Sequence, residues 1–145
     1  MTIKFAGGFL PYIYKLDPNA FEGTSQIGSQ RSIFVTVKNE DIALLKHEEH
    51  HIKQFYFTLA MIASFLWLGH LYFLPVGYVG ALIFATLDFI PFTSFRKEAT
   101  AYAASVKYGR DLESAVSALK NHRYAKGDAD VARNAITGKK LLGLF

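Results

Sequence analysis

The sequence predicts one domain of the α+β class that is mainly α-helical. It has 145 residues, of which 51% are hydrophobic and 19% are charged, so one folding unit can bury a sizeable core. Residues 31–37 form a strand-length run of β-branched and aromatic side chains, and a segment with the signals of a helix follows. Residues 55–92 are almost wholly apolar and are interrupted by Pro75, Gly77 and Gly80, which predicts a helical hairpin.

Composition narrows the chemistry that the chain can support. The absence of cysteine excludes disulfide bonds, thiolate nucleophiles, cysteine-bound zinc and iron–sulfur clusters. A bound metal ion would therefore need His, Asp or Glu ligands. The net charge of +4 is moderate, and we expect no nucleic-acid partner from it.

The first helix is predicted directly after the strand at 31–37. Asn39 is a suitable N-cap residue, and Glu40 and Asp41 would lie in the first turn, where negative charge stabilises a helix N-terminus. Good helix formers continue through Gln54. We therefore expect this helix to lead into the apolar block.

The apolar block, residues 55–92, contains a single charged side chain, Asp88, in 38 residues. Its first part, residues 55–74, would be about 30 Å long as a helix, close to the thickness of a bilayer core. One interpretation is a hairpin, folded at 75–80, that contacts a membrane with its basic end on the cytoplasmic side. The other is a buried helical pair, in the core or against another subunit of the same or a different kind. Both interpretations stay open at this stage.

Two further helices are predicted after the hairpin. The alanine-rich segment from Ala99 to Tyr108 favours a helix that ends at Gly109. Asp111 is positioned to cap a helix over 112–119, whose apolar residues share one face.

The predicted domain covers residues 1–122 and includes the hairpin. Residues 123–145 are polar and weakly periodic until their apolar end. We expect them to form a tail that is loosely held or docked on a partner.

The first helix contains the motif H-E-x-x-H, as His-Glu-Glu-His-His from residue 47. His47 and His51 lie four positions apart on one helix face, so both imidazoles can bind one metal ion, while Glu48 is turned about 100° aside and can hold the metal-bound water. The alternative is a solvated polar helix face without a metal. Glu49 and His50 point away from the 47/51 face, and we expect them to be solvated.

Two more side chains extend this candidate site. Gln54 lies three residues after His51 on the same face, where it could orient a ligand or a substrate. Glu98 lies early in the helix after the hairpin, and a hairpin would bring that helix back beside the first. Two His and one Glu leave a tetrahedral zinc ion one open position for water, which is typical of catalytic sites.

Three segments together resemble small zincin metallopeptidases of bacterial and bacteriophage genomes. They are the strand Ser32 to Val37, the stretch from Ile42 to Gln54, and Glu98-Ala-Thr-Ala-Tyr. Such proteins have a short β-strand, then L-x-x-H-E-x-x-H-x-x-Q, an apolar and aromatic stretch, and an E-x-x-A-Y helix that supplies the third ligand. The resemblance covers residues 31–108 and implies a minimal zincin-like fold.

The resemblance also implies a Zn²⁺ cofactor and gives the site residues their roles. The implied zinc ligands are His47, His51 and Glu98. Glu48 would be the general base, and Gln54 and Tyr102 would lie beside the ligands. The group that stabilises the oxyanion stays open among four candidates, which are His50, His70, Tyr102 and His122.

Two hypotheses about function follow. The first is a zinc-dependent metallopeptidase that hydrolyses a peptide or protein substrate with a zinc-activated water, with the strand at 31–37 pairing with the extended substrate. The second is a noncatalytic protein, membrane-associated or part of phage-particle assembly, whose histidine cluster is structural or vestigial. We expect a location in the cytoplasm, on the cytoplasmic face of a membrane, or in a virion. A di-iron bundle is disfavoured because it needs Glu-x-x-His on two helices, and only Glu48 to His51 supplies one.

Overall fold

The computed structural model describes residues 1–19, 33–38, 40–73 and 75–138, without the side chain of Asp88. In chain order, the elements are β1 Thr2–Ala6, β2 Leu10–Leu16, β3 Phe34–Val37, α1 Ile42–Tyr72, α2 Pro75–Thr86, α3 Pro91–Lys107, α4 Leu112–Leu119 and α5 Ala129–Thr137. A short 3-10 turn, Leu87–Phe89, joins α2 to α3. The fold is α+β and mainly α-helical, as the sequence predicts.

The strands of the described residues form one sheet in the order β1-β2-β3. β1 and β2 are antiparallel and are joined by a tight turn at Gly7 and Gly8, whose positive φ angles suit glycine. β3 pairs in parallel with β2. One face of the sheet packs on α1, and its buried residues are Ala6, Tyr12, Tyr14, Val35 and Val37. The first two residues of the predicted strand, 31 and 32, lie outside the described residues.

Helix α1 is continuous over 31 residues and contains both the H-E-x-x-H motif and the first apolar run. Its N-cap is Asp41, whose side chain accepts hydrogen bonds from the backbone N–H groups of Ala43 at 2.8 Å and Leu44 at 3.4 Å. The prediction that put Asp41 inside the first turn is therefore wrong, because its carboxylate satisfies the free N–H groups of that turn. Asn39 itself lies outside the described residues.

Helix α2 runs back beside α1, so the predicted hairpin is present, but its turn is not at 75–80. Phe73, with a left-handed φ of 50°, ends α1, and Pro75 is already the first residue of α2. Gly77 lies within α2 and lets the two helices come close. A Cβ atom on Gly77 would lie 2.5 Å from the Cα of Gly69. The glycines thus serve helix packing, and the chain reverses before them.

The hairpin leaves its apolar side chains on the surface. Among the described residues, α1 is the one helix long and apolar enough to cross a membrane, and only 6% of that apolar stretch is buried. Helices α2 and α3 meet the same criterion only as a bent pair. The described N-terminal strands and α5 do not cover the hairpin, since its large side chains, such as Trp67 and Leu82, are 64% exposed.

Helices α3, α4 and α5 enclose a second hydrophobic core around Phe95, Ala99, Val116, Leu119 and Ile136. Helix α4 begins after its cap Asp111 as predicted. Helix α3 begins at Pro91, eight residues before the predicted start, because proline fits the first turn of a helix.

Helix α5 lies in the region expected to be a loose tail, and this expectation is wrong for residues 129–137. Asp128 caps the helix by accepting hydrogen bonds from the N–H groups of Asp130 and Val131. Ala132, Ala135 and Ile136 follow helical spacing and are buried in the second core. Residues 139–145, with the apolar end, lie outside the described residues.

Candidate metal centre

The first turns of α1 lie between the sheet and α3, so their side chains are buried on two sides. On the sheet side, Tyr12 donates a hydrogen bond to Glu49 at 3.2 Å. On the α3 side, the Gln54 amide donates to the Thr100 hydroxyl at 2.8 Å. This position of α1 explains why a segment rich in His and Glu lies inside the protein.

His47, His51 and Glu98 come together at the contact between α1 and α3. The Nε2 atoms of His47 and His51 lie 3.2 Å apart. One oxygen of Glu98 lies 3.5 Å from His47 Nε2, and the other lies 3.4 Å from His51 Nε2. Both histidines are buried and the Glu98 side chain is 23% exposed. The hairpin thus returns Glu98 to the helix that carries the histidines, as the sequence predicts.

These three distances match what one small metal ion requires. Ligand atoms about 2.0–2.1 Å from a tetrahedral zinc ion lie about 3.3 Å from one another. The candidate ligand atoms of the three residues all lie within 4.8 Å of each other. The group could therefore hold a metal ion without a large movement of any side chain.

Gln54 fixes the orientation of His51. The Gln54 amide nitrogen donates to the backbone carbonyl of Lys97 at 3.2 Å and to the Thr100 hydroxyl, so its oxygen must point the other way. That oxygen lies 2.9 Å from His51 Nδ1 and can only accept a hydrogen bond. The neutral His51 ring therefore carries its proton on Nδ1 and directs the lone pair of Nε2 towards His47 and Glu98, as metal-binding histidines do.

The charges at the site favour a bound cation. Burial works to raise the pKa of the Glu98 carboxyl, but hydrogen bonds and charge from His47 and His51 outweigh burial and lower this pKa. Burial works to lower the pKa of His51, but Glu98 and then Glu48 outweigh it and raise this pKa. An ionised carboxylate thus faces two imidazoles, and a metal ion can take the place of the proton held between them.

Glu48 lies next to the ligand pair and is 3% exposed. Its Oε2 atom is buried and has no hydrogen-bond partner among the described residues, and the same is true of His47 Nδ1. Such buried polar atoms are rare because they lose their hydration without compensation. The unmatched oxygen of Glu48 is therefore consistent with a position reserved for a water or a ligand.

Tyr102 lies on α3 and packs against His47, one of the candidate ligands. Its ring centroid lies 4.5 Å from that of His47, and the guanidinium of Arg110 lies 4.9 Å from the Tyr102 ring. Burial raises the pKa of the Tyr102 phenol, and the charge of Glu98 adds to this effect. The hydroxyl therefore stays protonated at neutral pH and can donate a hydrogen bond.

An open groove of about 260 Å³ begins at the site. It is lined by Glu98, Tyr102, Ala118, Leu119, Asn121 and His122. The Nδ1 atom of His122 accepts a hydrogen bond from the Tyr124 N–H at 3.2 Å, so Nε2 carries the proton of the neutral ring. Burial lowers the pKa of His122, which keeps this ring neutral at pH 7.

The four oxyanion candidates lie in three separate regions. Tyr102 and His122 line the groove at Glu98. His50 lies on another side of α1, where it lines a separate groove with Lys46 and Lys53. His70 is 19 residues beyond His51 on the same helix, about 28 Å away along its axis.

Sequence reasoning places Glu49 in solvent, and this prediction is wrong. Glu49 is 8% exposed, because it faces the sheet, and accepts hydrogen bonds from Tyr12 and from Lys46 Nζ at 2.7 Å. The charge of Glu49 adds to burial in raising the pKa of the Tyr12 phenol. The i, i+3 spacing of Lys46 and Glu49 could have indicated the ion pair. Nothing local to the sequence indicates that Tyr12 or Thr100 would reach α1.

Comparisons with models of known protein families, with curated proteins and with solved structures find no match to this chain. What the described residues show is therefore a group of His47, His51 and Glu98 that could hold a metal ion.

Proposed function

We propose that this protein is a zinc-dependent peptidase that acts through the centre at His47, His51 and Glu98. The observation that carries the proposal is the meeting of these three side chains beside Glu48, whose buried oxygen has no partner among the described residues. Two imidazoles and one carboxylate are a donor set that suits zinc and leaves one coordination position open. A zinc ion bound here would polarise the scissile carbonyl and lower the pKa of a bound water.

The remaining steps belong to side chains of the chain itself. Glu48 accepts the proton of the attacking water and passes it to the leaving amine. Gln54 holds His51 in the tautomer that can bind the metal. Tyr102 donates a hydrogen bond to the carbonyl oxygen as negative charge develops on it.

The substrate is proposed to bind in extended form. The groove that begins at Glu98 and Tyr102 can accept a side chain next to the scissile bond. β3 is an edge strand of the sheet among the described residues, and an edge strand can pair with an extended peptide.

Metal analysis and three variants test this proposal. Protein purified without chelators should contain about one zinc ion per chain in the wild type and in Glu48→Gln, and none in His47→Ala. Cleavage of a fluorogenic peptide library should fall about 100-fold or more in Glu48→Gln, because an amide cannot accept the proton of water. Glu49→Gln is the matched control, since it makes the same change one position along the helix, on the sheet side. Wild-type protein without metal, or equal cleavage by Glu48→Gln, would remove the proposal.

A second candidate is a noncatalytic membrane-associated protein with a structural metal site. The observation that favours it is the exposed apolar hairpin, which a soluble peptidase does not need. It predicts metal in the wild type together with no cleavage of any peptide. The same metal and cleavage measurements therefore separate the two candidates.

A further inference from the structure

The hairpin exposes apolar side chains over a wide arc of both helices. On α1, the consecutive residues Leu66, Trp67 and Leu68 are 43%, 64% and 47% exposed. Consecutive helix residues point about 100° apart, so this exposed surface spans about 200° of the helix. On α2, Leu82 and Ile83 are also consecutive and are 64% and 52% exposed. A single protein surface would cover only one side of such a hairpin, whereas a lipid bilayer would surround it.

Two hydroxyl groups of the hairpin, on Ser64 and Thr86, are hydrogen-bonded within their own helix. The Ser64 hydroxyl donates to the carbonyl of Ala60 at 2.8 Å, and the Thr86 hydroxyl donates to that of Leu82 at 2.9 Å. These bonds leave no hydroxyl hydrogen in need of water. A polar side chain in hydrocarbon needs such an internal hydrogen bond, because no water is present there to bind it.

The two helices of the hairpin pack through small residues. A Cβ atom on Gly77 would lie within 2.7 Å of three backbone atoms of α1, which shows how closely the backbones approach at Gly69. Small residues at the contact and large apolar residues outside are the arrangement of helix pairs in membranes.

The dimensions of the hairpin fit a bilayer. From Phe55 to Tyr72, α1 rises about 26 Å, and the bilayer core is about 30 Å thick. Near the tip lie the exposed tyrosines Tyr72 and Tyr78, a residue type that concentrates at membrane interfaces. At the base, Lys53 lies just before the apolar run, where it would meet the lipid headgroups.

We propose that the hairpin inserts into a lipid bilayer and thereby holds the metal centre at the membrane surface. Because α1 is one continuous helix, His51 lies only about 6 Å before Phe55 along its axis. Peptide bonds within the headgroup layer then reach the site directly. Where the proposed peptidase function holds, the substrates are membrane-anchored proteins cut close to the bilayer.

Trp67 is the single tryptophan of the chain and reports insertion directly. It lies about 18 Å beyond Phe55, near the centre of an inserted hairpin. The full-length protein is added from detergent to vesicles of phosphatidylcholine and phosphatidylglycerol. Its fluorescence should shift to shorter wavelength, and lipids brominated near the chain ends should quench it more strongly than lipids brominated near the headgroup. Stable solubility as a monomer or oligomer without detergent, with unquenched Trp67, would overturn insertion.

A pair of charge variants gives an independent measurement. Leu82→Glu places a carboxylate at mid-hairpin and should lower partition into the vesicles about 100-fold. Val131→Glu changes a 37% exposed apolar residue of α5 in the same way and should leave partition unchanged. Equal partition of both variants with the wild type would contradict the proposal, and quenching of wild-type Trp67 decides the question if Leu82→Glu does not fold.

The position of the site is tested with one peptide in two forms. The peptide is supplied either free or fused to a membrane-spanning helix that ends about 10 Å before the scissile bond. Vesicle-bound enzyme should cut the anchored form at least tenfold faster. Equal rates would overturn the interfacial position and leave the peptidase standing. Cleavage of neither form, with Trp67 quenched, would instead overturn the peptidase and the substrate class while keeping membrane insertion.

Discussion

At the start of helix α1 polar side chains are buried, whereas towards its end apolar side chains are exposed. Near its start, the buried side chains are polar or charged, with His47, Glu48 and His51 at most 6% exposed. Towards its end, the apolar side chains of Leu68 and Leu71 are about half exposed. One continuous helix is therefore polar inside and apolar outside.

The comparison shows that burial alone does not describe the environment of a residue. In the first turns of α1, buried polar groups contact one another and α3, and the three candidate ligands provide a place for a cation. In the hairpin, the exposed apolar surface would be stable only in surroundings that are themselves apolar. The two regions should therefore respond to different perturbations.

Removal of zinc by a chelator should produce the largest difference in stability between the two regions. A ligand that binds the folded state at 1,000 times its dissociation constant stabilises that state by about 4 kcal/mol, and a chelator would remove this contribution if the proposed centre holds zinc. Amide hydrogen exchange should therefore become faster in residues 42–54 and in α3, and stay unchanged in residues 60–86. His47→Ala should exchange like the chelated wild type and should not respond to chelator. An equal increase in hydrogen exchange in both regions would mean that the first turns of α1 and the hairpin unfold as one unit.

Gln54→Leu should weaken the centre without removing a ligand. The change removes the oxygen that orients His51 and leaves the Lys97 carbonyl without the amide donor, so zinc affinity should fall about 10- to 100-fold. Competition with a fluorescent zinc chelator measures this affinity. Lys53→Leu alters the neighbouring position on another side of α1 and should leave the affinity unchanged. An unchanged affinity in Gln54→Leu would show that His51 is oriented by other contacts.

The sequence predicts the parts of this molecule that depend on helical spacing. His47 and His51 share a face, Gln54 follows them, and a hairpin must return Glu98 to their level, so helical geometry is enough to assemble the candidate centre. Asp111 as the cap of α4 follows from the same kind of local rule. Each of these predictions needs only short-range geometry and one chain reversal.

What could not be predicted depends on contacts between distant segments. Glu49 is buried because Tyr12, 37 residues away, reaches it from the sheet. α5 is ordered because Ala132 and Ile136 fit against α3 and α4, although the segment itself is mostly polar. Sequence reasoning assigns Gly77 to a turn because a glycine that ends a helix and a glycine that packs helices look alike in sequence.

The smallest expected effect comes from a pair of alanine substitutions at the Gly69–Gly77 contact, which tests how the hairpin is held together. In Gly77→Ala the new Cβ would lie 2.5–2.7 Å from backbone atoms of α1, so the helices must separate, and we expect a loss of about 1–2 kcal/mol of hairpin stability. In Gly69→Ala the nearest atoms lie at 3.4 Å, an ordinary contact, and the higher helix propensity of alanine compensates for any adjustment. Thermal unfolding in detergent, followed by circular dichroism, should therefore show a lower midpoint for Gly77→Ala than for Gly69→Ala, with zinc affinity equal in both. If both substitutions left the midpoint unchanged, the glycine contact would not hold the hairpin together, and the stacking of Phe65 on Phe84, with ring centroids 5.5 Å apart, would be the next contact to alter.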